Sequence, residues 1–184
     1  MRKDGAANRE KILLAAEQAF AAKGAAASTE DIAQRAGVSI ATVFRHFPTK
    51  QDLIEATAVR YLENLTTEAL QQAEGKDPGE AFTAVVRVVA AAGPAKMILL
   101  DLLPPHTDEG EGLSQPVTEA VDAFRSALDG ALHRAQAASA ARPEVTGDDL
   151  SLLLRALAHA SDLGDEAALD RAVGFVLDGL GVPR

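Results

Sequence analysis

The 184-residue chain has no cysteine, which excludes disulfides, thiolate metal sites and thiol-based redox sensing within it. Aromatic residues are scarce, at 4% with no tryptophan. No run of about 18 apolar residues occurs, so no membrane-spanning helix is expected. The opening MRKDGAANRE lacks the apolar centre of a signal peptide, and a cytoplasmic protein follows as the expectation. The G-x-S-x-G, Walker and G-x-G-x-x-G fingerprints are missing too, leaving hydrolase, nucleotide and dinucleotide chemistry without support. His106, His133 and His159 stand alone, without the spacing that puts two ligands on one helix face. Neither catalysis nor a cofactor or metal is expected. The acidic stretch with His106, Asp108, Glu109 and Glu111 reads as a solvated loop, with cation binding as the less economical alternative.

What is present is globular: 47% hydrophobic and 24% charged residues are enough to build a core. The net charge of −9 is unusual for a nucleic-acid binder until it is divided along the chain. Residues 1–50 hold 8 Lys/Arg against 5 Asp/Glu, and residues 51–184 hold 10 against 22. An acidic body with a basic end turns that end toward phosphate.

The basic end contains STEDIAQRAGVSIATVFRHFPTK, residues 28–50, which reads as two short helices around a tight turn. Ser28 and Asp31 make a capping box opening a helix over 29–36, with Ile32, Ala33 and Ala36 on its apolar face. Gly37 supplies the left-handed conformation that ends it, and Val38 anchors the turn. Ser39 caps a second helix over 40–47 whose Val43 and Phe47 face inward. Ile40, Ala41, Thr42, Arg45 and His46 are left pointing largely outward, as a major-groove reader requires. Thr42 and Arg45 are the leading base-edge candidates, because Arg holds guanine bidentately and Thr offers a hydroxyl and a methyl. A phosphate contact is the open alternative for Arg45. Ile40 and Ala41 suit thymine methyls.

This segment resembles the signature of the TetR (tetracycline-repressor-like) family of transcriptional regulators. The match runs through Thr29, Ile32, Ala33, Ala36, Gly37, Val38, Ser39, Thr42, Val43, Phe44, His46, Phe47, Lys50 and Leu53. It is strong over residues 8–54. The resemblance implies backbone contacts from Thr29, His46 and Lys50. It also implies a homodimer on a palindromic double-stranded operator, released by a small-molecule effector of unknown identity. Two positions depart from the commonest pattern: Ala41 stands where glycine is frequent, and Phe44 where tyrosine is frequent. Without the hydroxyl, Phe44 loses one phosphate hydrogen bond, about 0.5–1.5 kcal/mol, but its ring can still pack against sugar.

The rest reads as helix throughout, so an all-α fold is expected. A first amphipathic helix covers 8–23, and Thr49 with Asp52 caps a long helix toward residue 74, about 39 Å in length. That helix joins a DNA-binding domain over 1–54 to an effector and dimerisation domain over 55–184. Residues 80–92 are apolar on too many faces for a surface helix. A helix over 94–103 follows, ended by Pro104 and Pro105, then an acidic loop and a helix over 117–141. Thr146 with Asp149 opens a helix to residue 163, and Asp165 another to residue 180, the two joined at Gly164.

Two further sites follow. A ligand pocket needs apolar walls with a few polar groups, and Phe82, Val86, Val89, Met97, Leu100 and Phe124 with Asp101 and Arg125 supply them. Solvated charges on outer faces are the more economical reading of Arg87, Asp101 and Arg125. The last two helices carry apolar stripes, Leu150, Leu153, Leu154 and Leu157 on one and Leu169, Val173, Val176, Leu177 and Leu180 on the other. From the residues alone these dock on the chain's own core or on a second copy. The resemblance implies the second copy, paired as a four-helix bundle.

Overall fold

The computed structural model describes residues 2–92, 102–103, 113–160 and 166–181, and every regular element among them is helical. Eight α-helices follow in order: α1 (Arg2–Lys23), α2 (Thr29–Ala36), α3 (Ile40–His46), α4 (Lys50–Ala73), α5 (Pro78–Ala91), α6 (Gln115–Ala137), α7 (Gly147–Ala160) and α8 (Glu166–Gly179). A single 3-10 turn, Gly24–Ala26, separates α1 from α2. The described residues divide into two compact units. The first comprises 2–61, 102–103 and 113–119, and the second 62–92, 120–160 and 166–181.

In the first unit, Ile12, Leu13, Ala16 and Phe20 line one face of α1 and pack with Ile32 and Ala33 of α2 and Val43 of α3. Burying the Ile, Leu, Phe and Val side chains among these stabilises by about 1.5–3 kcal/mol each. α1 begins six residues before the expected Asn8. Those residues have no apolar periodicity, and the good helix formers Ala6 and Ala7 extend the helix from the packed part. Ser28 caps α2 by accepting the Asp31 N–H at 3.0 Å, but the expected box is not reciprocal, because the Asp31 carboxylate pairs with Lys23 instead. The Lys23 ammonium holds Asp31 below its ordinary carboxylate range, first through the hydrogen bond and then through its charge.

Gly37 ends α2 at φ 67°. Its N–H donates to Gln34 O at 3.2 Å and the Val38 N–H to Ala33 O at 3.0 Å, which satisfies carbonyls that a helix end leaves orphaned. Nothing lies within 4 Å of a Cβ built at Gly37, so the cost of a side chain there is backbone strain alone. Gly37→Ala is expected to destabilise by about 1–2 kcal/mol. Urea unfolding of the variant checks this, and an unchanged midpoint would contradict it.

α4 opens with the expected reciprocal cap. The Thr49 N–H donates to Asp52 Oδ2 at 2.9 Å and the Asp52 N–H to Thr49 Oγ1 at 3.0 Å. Arg60 of α4 donates to Glu10 and to Glu17 of α1, fixing the two helices side by side. α4 then runs unbroken to Ala73.

The second unit packs α5 against α7 and α8, and α7 against α8. Phe82, Val85, Val86 and Val89 form the buried face of α5. The expectation that this helix is apolar on too many faces is corrected: Glu80, Arg87 and Ala91 are exposed, and Arg87 pairs with Asp170 of α8. α6 stops at Ala137 rather than residue 141. Ser139 takes φ 58°, its N–H donates to Gln136 O at 2.9 Å, and the Ala140 N–H donates to Ala135 O at 2.8 Å. The same closure that Gly37 provides is here made by a serine. Thr146 and Asp149 cap α7 reciprocally, at 3.0 and 3.2 Å, and hydrogen bonds from the Thr146 side chain and then its backbone hold Asp149 below its ordinary range.

Leu102 and Leu103 lie in a turn rather than a helix and pack on the core of the first unit. The remainder of the helix expected over 94–103, the acidic segment containing His106, Asp108, Glu109 and Glu111, and the Gly164 junction with Asp165 lie outside the described residues. None of the described helices is long and apolar enough to cross a membrane.

Candidate nucleic-acid interface

Two buried side chains orient α3. Val43 is fully buried, and Phe47, at the C-cap, is 3% exposed and donates its N–H to Val43 O at 2.8 Å. With that face fixed, Ala41, Phe44 and Arg45 are exposed and Thr42 and His46 are half-buried. Ile40 departs from its expected outward position: it is half-buried and packs against the core. Ser39 is exposed at the N-cap, accepting the Thr42 N–H at 3.2 Å. The hydroxyls of Ser39 and Thr42 are 2.8 Å apart and share a hydrogen bond. Arg45 is exposed and has no ion-pair partner among the described residues. Its guanidinium is therefore the freest donor set on this helix.

The flanking positions are held differently. Thr29, at the first turn of α2, is half-buried with its hydroxyl directed to Glu30 at 3.3 Å. Lys50, at the first turn of α4, donates to the carbonyl of Ala25 at 2.7 Å. His46 lies against Phe47, with ring centroids 6.3 Å apart and planes tilted by 47°. Over the same ring, Arg9 of α1 places its guanidinium carbon 5.4 Å from the centroid. Sequence spacing gives no sign of that contact, since 38 residues separate the partners.

Of the residues expected to line a pocket, five fall among the described residues of the second unit. Phe82 and Val86 are fully buried, Val89 and Phe124 are also core residues, and Arg125 is exposed. Met97, Leu100 and Asp101 lie outside the described residues. An open groove of about 490 Å³ lies at the end of α4, lined there by Leu70, Gln71 and Glu74, with Lys76, Pro78 and Arg134 on the adjoining segments. None of these residues was a sequence candidate.

The residues of the expected dimer stripes divide by their burial. Leu150, Leu154, Leu157, Val173, Leu177 and Leu180 are buried within the protomer itself, while Leu153, Leu169 and Val176 are half-buried. The large apolar side chains that α7 and α8 present to solvent are Leu152, 67% exposed, and Phe175, 71% exposed. Both lie one or two positions away from the stripes.

Residues 12–57 match the family model described as "Bacterial regulatory proteins, tetR family". Residues 77–182 match the model described as "Transcriptional regulator SbtR-like, C-terminal domain". Among solved structures, the chain resembles a TetR transcriptional regulator from Streptomyces coelicolor, with 32% identity, a TM-score of 0.73, and coverage of 94% of this chain and 97% of the other. A TetR transcription regulatory protein from Mycobacterium vanbaalenii gives 32% identity and a TM-score of 0.72 over 97% and 98% of the two chains. The uncharacterized HTH-type transcriptional regulator YvkB of Bacillus subtilis is 43% identical over 67 residues, 36% of this chain, and the match spans only about a third of that relative, 35% of its length. The helix-turn-helix built by Ser28, Gly37 and Ser39, the second helical unit and the agreement over nearly the whole chain lead to one conclusion: the protein belongs to the TetR family of DNA-binding transcriptional regulators.

Proposed function

We propose that the protein is a homodimeric repressor that binds a palindromic operator through α3 and leaves it when a small-molecule effector binds. In this reading residues 1–54 form the DNA-binding domain and 55–184 the effector and dimerisation domain. The observation that carries it is the outward face of α3, where Arg45 is exposed, with no ion-pair partner among the described residues, between a capped N-terminus and a buried Phe47 anchor. A single seven-residue helix covers too few base pairs for a unique site, and a two-fold dimer places two such helices on half-sites about 34 Å apart.

Arg45 is assigned to a base edge and Thr42 to a lesser part of the same readout, because its hydroxyl is already shared with Ser39. Thr29, Ser39, Phe44, His46 and Lys50 are assigned to the backbone, which positions the reader without specifying sequence. Ala41 and the outer part of Ile40 suit thymine methyls. Arg45→Ala is expected to cost about 1–3 kcal/mol on the selected operator and little on random DNA, whereas Lys50→Ala weakens both alike. Gel shifts with the two DNAs separate these outcomes. Equal losses for both variants on both DNAs would reject the assignment of Arg45 to a base.

The effector reading draws on the groove at the end of α4, since a ligand there acts on the same continuous helix that opens at Lys50. The rival reading, control by a protein partner without a small molecule, is favoured by the tight packing of Phe82, Val86 and Val89. Reciprocity discriminates them: an effector that releases DNA must itself bind the DNA complex more weakly, by the same factor. Calorimetry on a ligand found by thermal-shift screening, with and without operator, measures that factor.

A further inference from the structure

We propose that Arg9 of α1 is a further contact to the DNA backbone, seated for that role by the ring of Phe47. The proposal rests on α3 being the DNA-facing helix. Phe47 caps α3 and is almost fully buried, so its ring is a fixed platform, whereas Arg9 is exposed. With its guanidinium carbon 5.4 Å from the ring centroid, the cation is attracted to the aromatic face. Contact through the flat face of a guanidinium leaves its in-plane N–H groups free, and these match phosphate oxygens in a bidentate fork.

The surrounding charges favour the same partner. Arg9 has no ion-pair partner among the described residues, and the adjacent Glu10 is already engaged by Arg60. His46 packs against Phe47, and Arg45 belongs to the same last turn of α3. Arg9 thus adds a third basic residue to the end of α3. The bland alternative is that the arginine stem merely covers the ring, as long cationic side chains often cover apolar surface.

Salt dependence separates the two roles. Anisotropy titrations over a salt series use a duplex enriched by the protein from a random-sequence pool, and the unselected pool itself. Each phosphate neutralised contributes about 0.9 to the slope of log affinity against log salt. Arg9→Gln is expected to lower the slope by about that amount per protomer on both DNAs, and Arg9→Lys to retain it. An unchanged slope in a folded Arg9→Gln variant overturns the proposal, even if the melting temperature falls. A slope lost equally in Arg9→Lys overturns it too, because the charge would then not be the operative property. Wild-type protein that enriches no sequence and shows no salt-dependent binding would remove the assignment of α3 along with that of Arg9. In that case the failure is seen before any variant is made.

Discussion

Phe82→Ala is expected to destabilise the protein by about 3–5 kcal/mol, the range for truncating a fully buried phenylalanine. Phe82 has no exposed surface, and α5, which carries it, packs against both α7 and α8. Removing the ring loses its transfer free energy and leaves a void that three packed helices can only partly close. The same substitution tests the pocket expected from sequence. If the ring bordered an existing cavity, its loss would enlarge empty space without creating a new void, and the cost would fall well below this range. Equilibrium urea unfolding of wild type and variant gives the number. A small loss would return Phe82 to the effector site, and the full loss leaves it in the core.

The second large effect concerns assembly. Phe175→Glu and Leu152→Glu are expected to give folded monomers whose operator affinity falls by about 10²–10⁴, because the second half-site is no longer tethered to the first. These are the two most exposed large hydrophobic residues described, and a charge at either meets solvent in the monomer while opposing burial against a second copy. Leu154→Glu serves as the contrast. Leu154 is buried within the protomer, so a carboxylate there is expected to unfold the α7–α8 hairpin instead of separating intact subunits. Sedimentation combined with circular dichroism distinguishes the outcomes. Dimers that persist in both surface variants would move the interface elsewhere.

The helix-turn-helix was legible because its signals are local. Ser28 and Ser39 as caps, Gly37 as the left-handed stop and the Val43–Phe47 pair each act within four residues of what they determine. The α7–α8 hairpin was legible only in part. Periodicity finds an apolar stripe, but Leu150, Leu154 and Leu157 turn that stripe into the protomer while Leu152 turns outward, and one or two positions rotate a side chain by about 100–200° around a helix. The end of α6 was misplaced because Ser139 occupies a left-handed position that sequence reading assigns to glycine or asparagine. The groove and the Arg9–Phe47 contact were invisible for a different reason. They join segments distant in sequence, α4 with the segment around Arg134 in one case and α1 with the end of α3 in the other.

The bond from the Lys50 ammonium to the Ala25 carbonyl shifts a cost from one equilibrium to another. Immobilising a long, rotamer-rich side chain at an interface costs roughly 0.5–1.5 kcal/mol when it happens during association. At Lys50 that loss of freedom accompanies folding, since its head group is already tied across the base of the helix-turn-helix. The acceptor is neutral, so the full positive charge persists, and an ammonium has three donors, of which the carbonyl occupies one. In the backbone role proposed for Lys50, a phosphate arriving at α4 would meet a cation already in place, with hydrogen-bonding capacity to spare and no carboxylate among the described residues to displace.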